Sequence, residues 1–165
     1  MGDFDSVTAE ELALIRASSK AFIDCDPIYK DLTDTEMAFN WALDQKPSQI
    51  LLVGALGTRF DHSLANVHLL RKGMAQGVPC AIMDANNLMM VINQPTHVRR
   101  GPYTHISLLP LSLEVTGITL HGFQYPLHQA TLEVGMSLGI SNVLLEPEGL
   151  IELSSGLLLV IQSKD

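Results

Sequence analysis

The strongest constraint on the fold is an apolar strand, a glycine-containing turn and a helix that follow one another in the middle of the chain. Residues 50–55 are continuously apolar, which is typical of a strand in a parallel sheet covered on both faces. The turn leads into a predicted helix over 61–76, which Gly77 closes, and residues 78–84 form the next strand. A strand, a helix and a strand at this spacing predict a βαβ unit with parallel strands and a right-handed crossover.

The segment before this unit carries helix signals. Residues 10–19 predict a first helix and residues 21–24 a short strand. Thr33 and Glu36 form a capping box, in which the Thr33 hydroxyl accepts a helical N–H while Glu36 reaches back to the cap. The apolar spacing that follows predicts a helix ending near Gln45.

From Leu88 onward the helical period disappears and short strand candidates recur. Turn residues separate them, as in an antiparallel sandwich or barrel. The candidates are 88–92, 104–110, 114–120, 144–147, 150–154 and 157–163, whereas residues 130–138 fit either a strand or a helix. We predict an α/β domain with a parallel sheet over residues 1–87, truncated at its N-terminus, followed by an antiparallel all-β domain over residues 88–165.

Composition excludes several classes of protein. Hydrophobic residues make up 47% of the 165 residues and charged ones 17%, which is typical of a globular protein. No apolar run reaches the roughly 18–20 residues of a membrane span, and the acidic start does not resemble a signal peptide. The formal net charge of −8 argues against nucleic acid as a partner. Two cysteines without metal spacing fit buried thiols, so we expect a cytoplasmic protein.

Carboxylates occur in two places where they can face a cation or a phosphate. Asp3 and Asp5 alternate in an extended segment, so both can point the same way and offer the hard oxygen ligands that Mg²⁺ prefers. Lys30, Asp31 and Asp34 surround the N-terminus of the helix after Thr33, where phosphate binding is favoured. A solvated loop and ordinary acidic first-turn residues are the plain alternatives, and both remain open.

A third candidate follows the strand at 50–55, at the sheet edge where open parallel sheets bind ligands. Gly57 permits a tight turn, Arg59 offers a planar fork for phosphate oxygens, and Asp61 can hold that fork or a metal. Asp61 as a helix cap fits equally well. The sequence has no Gly-Lys-Ser/Thr, so this is not a P-loop.

A fourth candidate, Ser141-Asn142, lies in a polar turn of the β half, where a plain turn is the default interpretation. The six histidines show no zinc spacing, and the sequence contains no nucleophile elbow.

Taken in order, these segments resemble the bacterial type of thiamine pyrophosphokinase. The resemblance is carried by Gly2-Asp3-Phe4-Asp5-Ser6, Lys30-Asp31-x-Thr33-Asp34-x-Glu36, Gly57-x-Arg59-x-Asp61-His62 with Asn66, and Ser141-Asn142. It extends from the first of these motifs to the final strand. Each motif is weak alone, but their conjunction is specific.

The resemblance implies a Rossmann-like α/β nucleotide-binding domain, a β-sandwich thiamine-binding domain and a homodimer with its site between subunits. It implies transfer of pyrophosphate from ATP to the thiamine hydroxyl, giving thiamine diphosphate and AMP. The implied roles are Mg²⁺ and catalysis for Asp3, Asp5, Asp31 and Asp34, ATP binding for Lys30, Arg59, Asp61 and Asn66 with Arg59 also catalytic, and thiamine binding for Ser141 and Asn142.

The chain departs from the family pattern at three positions. Thr58 stands where a second glycine is usual, Val143 where bacterial relatives carry Glu, and Leu159 about where animal members place a substrate-stacking Trp. Family members also carry further residues before the first motif. An inactive thiamine- or nucleotide-binding fragment and a metal-dependent phosphohydrolase therefore remain as alternatives.

Overall fold

The computed structural model describes residues 4, 7–20, 22 and 31–165. The chain divides into two compact units, Met1–Pro47 and Ser48–Asp165. Most of the predicted strand at 21–24 lies outside the described residues.

The first unit contains the two helices that the sequence predicts. Helix α1 (Ala9–Ser18) begins at a capping box between Thr8 and Glu11. Helix α2 (Asp34–Asp44) begins at Thr33, whose side chain accepts the backbone N–H of Glu36 at 3.2 Å. The N-terminal cap that the sequence predicts for the second helix is therefore confirmed on the side of Thr33.

The second unit contains one helix and nine strands in the described residues. In chain order they are β1 (Ile50–Val53), α3 (Phe60–Ala75), β2 (Cys80–Met83), β3 (Asn87–Ile92), β4 (Thr96–Arg99), β5 (His105–Pro110), β6 (Glu114–His121), β7 (Ala130–Glu133), β8 (Glu148–Glu152) and β9 (Leu158–Ser163). Residues 76–165 are all described and contain no helix. No helix of the described residues is long and apolar enough to cross a membrane.

Three features of the β half differ from the predicted strands. The predicted strand at 144–147 is wrong, because this segment contributes only an isolated bridge between Leu144 and Phe123. Strand β4 was not predicted, since the turn residues on both sides leave only four residues for it. The ambiguous stretch at 130–138 forms strand β7 and then a turn.

The strands form a five-stranded sheet in the order β1-β2-β3-β9-β5 and a four-stranded sheet in the order β4-β8-β6-β7. Strands β1 and β2 are parallel, as the predicted βαβ unit requires, and the other pairings between these strands are antiparallel. The first sheet is therefore mixed and continues across residue 87, whereas the division into domains at that residue stays a prediction.

Two hydrophobic cores lie on opposite faces of the five-stranded sheet. Side chains of β3, β5 and β9 pack against those of the second sheet on one face. Helix α3 covers the other face with Val67 and Leu70, which pack around Ile82 and Leu159. Alternate residues of β9 supply both cores, because successive side chains of a strand point to opposite faces.

Strand β1 is less covered than the sequence predicts. Leu52 packs under α3, but Leu51 and Val53 on the other face are 50% and 69% exposed. The expectation of burial on both faces is wrong here, because the core between the two sheets draws its side chains from β3, β5 and β9 and none from β1.

We predict that Leu70→Ala destabilises the protein by about 2–5 kcal/mol, because it leaves a cavity between α3 and the sheet. The control is Leu64→Ala on the exposed side of the same helix, which should change the free energy of unfolding by no more than about 0.5 kcal/mol. Urea unfolding measures both values. Equal losses would contradict the packing described for α3.

Candidate functional site

The loop between β1 and α3 follows the carboxyl end of a parallel strand, where the sequence predicts phosphate recognition. Gly54 begins it with a φ of 73°, a conformation that glycine adopts without strain. Gly57, Thr58 and Arg59 are exposed. The loop ends where α3 starts, so N–H groups that have no partner within the helix backbone lie next to Arg59.

Arg59 and Asp61 form a two-point ion pair on this loop. The guanidinium donates to the carboxylate at 2.6 Å and 3.3 Å, and the side chains are 71% and 64% exposed. The hydrogen bond from Arg59 lowers the pKa of Asp61, and the same bond raises the pKa of Arg59. Both groups therefore stay charged at neutral pH, and the guanidinium is oriented but open to solvent.

Two buried polar side chains of α3 form hydrogen bonds with the backbone of this loop. The Ser63 hydroxyl accepts the N–H of Gly57 at 3.0 Å and lies 3.2 Å from the carbonyl oxygens of Gly57 and Arg59. Asn66, which the resemblance assigns to ATP, is buried and donates its amide to Ala55 O at 2.7 Å. Sequence reasoning missed Ser63, although a hydroxyl residue three positions before Asn66 on one helix face was a usable signal.

The segment Ser141-Asn142, which the resemblance assigns to thiamine, lies far from this loop along the five-stranded sheet. Register pairs link Val53, Met83, Leu88, Gln162, Ile106 and Asn142 in one row across the strands. Five steps at about 4.8 Å each separate the end of β1 from Asn142 by about 24 Å. The fold therefore brings Arg59, Asp61 and Asn66 together, but it places Ser141 and Asn142 elsewhere.

Ser141 and Asn142 differ in what their side chains can do. Asn142 is 5% exposed, accepts the N–H of Tyr125 at 3.0 Å and donates to Tyr125 O at 2.7 Å. Ser141 is exposed, has a φ of 58°, and its N–H donates to Ser107 Oγ at 3.0 Å. Asn142 thus holds the turn, and Ser141 presents a hydroxyl to solvent.

The remaining predicted residues belong to the first unit. Asp31 is exposed, and Asp34 is the half-buried first residue of α2. Asp3, Asp5 and Lys30 lie outside the described residues, so the predicted convergence of the carboxylates stays a prediction. Within the described part of the chain, no group of three or more acidic, histidine or cysteine side chains is placed to hold a metal.

The three departures from the family pattern occupy different environments. Thr58 is exposed on the loop and Val143 is half-buried beside Asn142. Leu159 is buried in the core under α3, where it cannot stack on a ligand.

Comparison with known proteins identifies a consistent set of relatives. The family models described as "Thiamin pyrophosphokinase, catalytic domain" and "Thiamin pyrophosphokinase, vitamin B1 binding domain" match residues 1–82 and 92–158. Thiamine pyrophosphokinase from Bacillus subtilis is 33% identical, over 99% of this chain and 77% of the relative. Its crystal structure superposes with a TM-score of 0.91 over the same shares of the two chains. The structure of thiamin pyrophosphokinase from Geobacillus thermodenitrificans is 37% identical, with a TM-score of 0.86 over 99% of this chain and 76% of that one.

We predict that the pKa of Asp61 lies below the usual aspartate value of about 3.9. Arg59→Gln should raise this pKa, because it removes the hydrogen bond that lowers it. Because the folded-state pKa lies below the unfolded one, the pair stabilises the fold above the unfolded pKa. That contribution is lost as the pH falls through the folded pKa. NMR of the carboxyl carbon follows the titration. Arg99→Gln, at a surface arginine paired with Glu148, is the control that should leave Asp61 unchanged.

Proposed function

Because this chain belongs to the thiamine pyrophosphokinase family and is an enzyme of that class, we propose that it transfers pyrophosphate from ATP to the hydroxyl of thiamine. The products are thiamine diphosphate and AMP. The observation that carries the chemistry is the exposed Arg59–Asp61 pair, held on a braced loop beside a helix N-terminus. The finer fold description, a Rossmann-like layer joined to a β-sandwich, belongs to the same proposal.

The phosphates of ATP contact the loop after β1. Arg59 neutralises phosphate charge, and Asp61 keeps the guanidinium in one orientation, which limits the reorganisation needed as charge shifts during transfer. The first-turn N–H groups of α3 favour an anion at the same place. Lys30 supplies a second cation. Asn66 serves ATP indirectly, since its amide is committed to the loop backbone. Such transfer depends on positioning and charge neutralisation rather than on a protein nucleophile.

Asp3, Asp5, Asp31 and Asp34 are the residues that would hold Mg²⁺. Asp31 and Asp34 are carboxylates that keep solvent access, which fits an ion that retains waters and takes one or two protein oxygens. The bound ion would neutralise phosphate charge. The protein's own contribution that the described residues show is the placement of Asp34 at the start of α2 and of Asp31 three residues before it.

Thiamine contacts the β half at Ser141. The Ser141 hydroxyl is available, whereas the contacts of Asn142 with Tyr125 fix the backbone that presents it. Asn142 therefore acts on thiamine through the shape of the turn.

We infer that the complete site forms between two copies of the chain. The separation of about 24 Å along the sheet keeps Ser141 away from the end of β1 within one subunit. A group of exposed apolar side chains also leads up to Ser141, and a second copy would bury them. The group consists of Leu113, Val134, Met136, Leu138 and Ile140.

The function is tested by following AMP from ATP and Mg²⁺ with and without thiamine. We predict AMP only when thiamine is present, and a loss of about 10²–10³-fold in kcat for Arg59→Ala. Arg99→Ala, another exposed arginine, should turn over like the wild type. Phosphate release without thiamine would indicate a hydrolase, and binding without turnover would indicate an inactive fragment. Either result would contradict the proposal.

The shared site is tested by mixing subunits that carry Arg59→Ala with subunits that carry Ser141→Lys, whose added charge and bulk oppose cationic thiamine. Each homodimer should be weak, whereas heterodimers keep one intact site. Random exchange of equal amounts should restore about one quarter of the wild-type sites. No recovery after verified exchange, or full activity of a monomer in sedimentation, would exclude a shared site.

A further inference from the structure

We propose that Ser63 is a positioning residue for pyrophosphate transfer, which holds the loop after β1 so that Arg59 meets the phosphates in one geometry. The inference rests on the proposed function for the role of Arg59. Its structural part, the bond between Ser63 and the loop backbone, can be measured without turnover.

The Ser63 hydroxyl is fully used by the backbone of this loop. It accepts the N–H of Gly57 at 3.0 Å, and its single proton has two acceptors at 3.2 Å, Gly57 O and Arg59 O. A hydroxyl has one proton to donate, so it serves one of these carbonyls at a time. Through either bond it joins the loop to the first turn of α3.

The contact with Gly57 goes beyond what the helix itself requires. A serine on a helix commonly bonds the carbonyl four residues back, which here is Arg59 O. Gly57 lies six residues back and outside the helix, so its N–H would lack this acceptor if the hydroxyl were removed. Arg59, the residue before the helix, also makes no side-chain cap, which leaves Ser63 as a polar link between the first turn of α3 and the loop.

Asn66 provides a second attachment one turn further along α3. Its bond to Ala55 O holds the start of the loop, and Ser63 holds the middle and the end. Both side chains are buried, so water competes poorly with these bonds. The buried attachments fix the backbone, and the exposed pair with Asp61 fixes the Arg59 side chain.

The consequence for catalysis is geometric. Without the hydroxyl, Arg59 keeps its charge and its partner but loses the backbone position from which it reaches the phosphates. A displacement of about 1 Å in a positioning group can cost roughly 10²-fold in rate. We therefore expect Ser63→Ala to lower kcat by about 10–100-fold. The KM for thiamine should change little, because the hydrogen bonds of Ser63 are with the loop after β1 and not with the turn at Ser141.

The experiment compares Ser63→Ala, Ser63→Thr and Val67→Ala at a temperature where each is folded. Val67 lies on the same helix but in the core under the sheet, so Val67→Ala controls for lost stability. Ser63→Thr keeps the hydroxyl, and threonine on a helix can still bond the carbonyl four residues back. Steady-state kinetics give kcat and KM, and NMR hydrogen exchange reports on the Gly57 N–H.

The expected result is a slow Ser63→Ala variant with faster exchange at Gly57, next to near-wild-type kcat in Ser63→Thr and Val67→Ala. The proposal is overturned if Ser63→Ala stays within twofold of wild type, if Val67→Ala loses as much kcat, or if Ser63→Thr is as slow as Ser63→Ala. Absence of thiamine-dependent AMP in the wild type would instead overturn the proposed function, and Gly57 exchange would still show whether Ser63 holds the loop.

Discussion

The structure of the second unit depends on the insertion of the last strand, β9, between β3 and β5. Six register pairs join it to each neighbour, so the end of the chain connects the βαβ unit to the β half. Successive side chains of β9 point to opposite faces of the sheet and therefore pack in both cores. Leu158 and Val160 face the second sheet, and Leu159 packs under α3. A single strand thereby fixes the spacing between the loop after β1 and the turn at Ser141.

That spacing determines how the candidate site can be completed. The parallel strand β1 ends at the loop with Arg59, while the pairing of β9 with β5 places the bridge from Ile106 to Asn142 several strands away. A loop cannot bring the two together without breaking the register of the sheet. The proposed dimer meets this constraint, because different subunits would supply the phosphate and thiamine contacts.

The sequence predicted those elements whose signals are local. The cap at Thr33, the helix after Gly57 and the parallel strand pair follow from spacing within a few turns. It could not predict that β1 exposes Leu51 and Val53, since a continuous apolar run does not say which neighbours cover each face. Strand β4 was not predicted, because the turn residues on both sides leave only four residues for it.

The candidate site could likewise be predicted from the sequence only as far as local motifs indicate it. Motif order identified Arg59 and Asp61, and the structure joins them through the predicted fork. The motif did not distinguish a residue that contacts substrate from one that shapes a loop. The side-chain amides of Asn66 and Asn142 both form hydrogen bonds with backbone atoms, and only the tertiary structure reveals these partners.

The loop after β1 contains an exposed ion pair and is attached to α3 by buried hydrogen bonds. An exposed ion pair adds little to stability because water screens it, so the Arg59–Asp61 contact does not set the loop's conformation. Buried hydrogen bonds do, since an unsatisfied buried group costs about 1–3 kcal/mol. Ser63 and Asn66 therefore fix the backbone of the loop, and the guanidinium of Arg59, paired with Asp61, stays exposed to solvent. In the proposed function, a phosphate would contact the exposed N–H groups of Arg59 beside its pair with Asp61, and the backbone that presents the charge would not have to move.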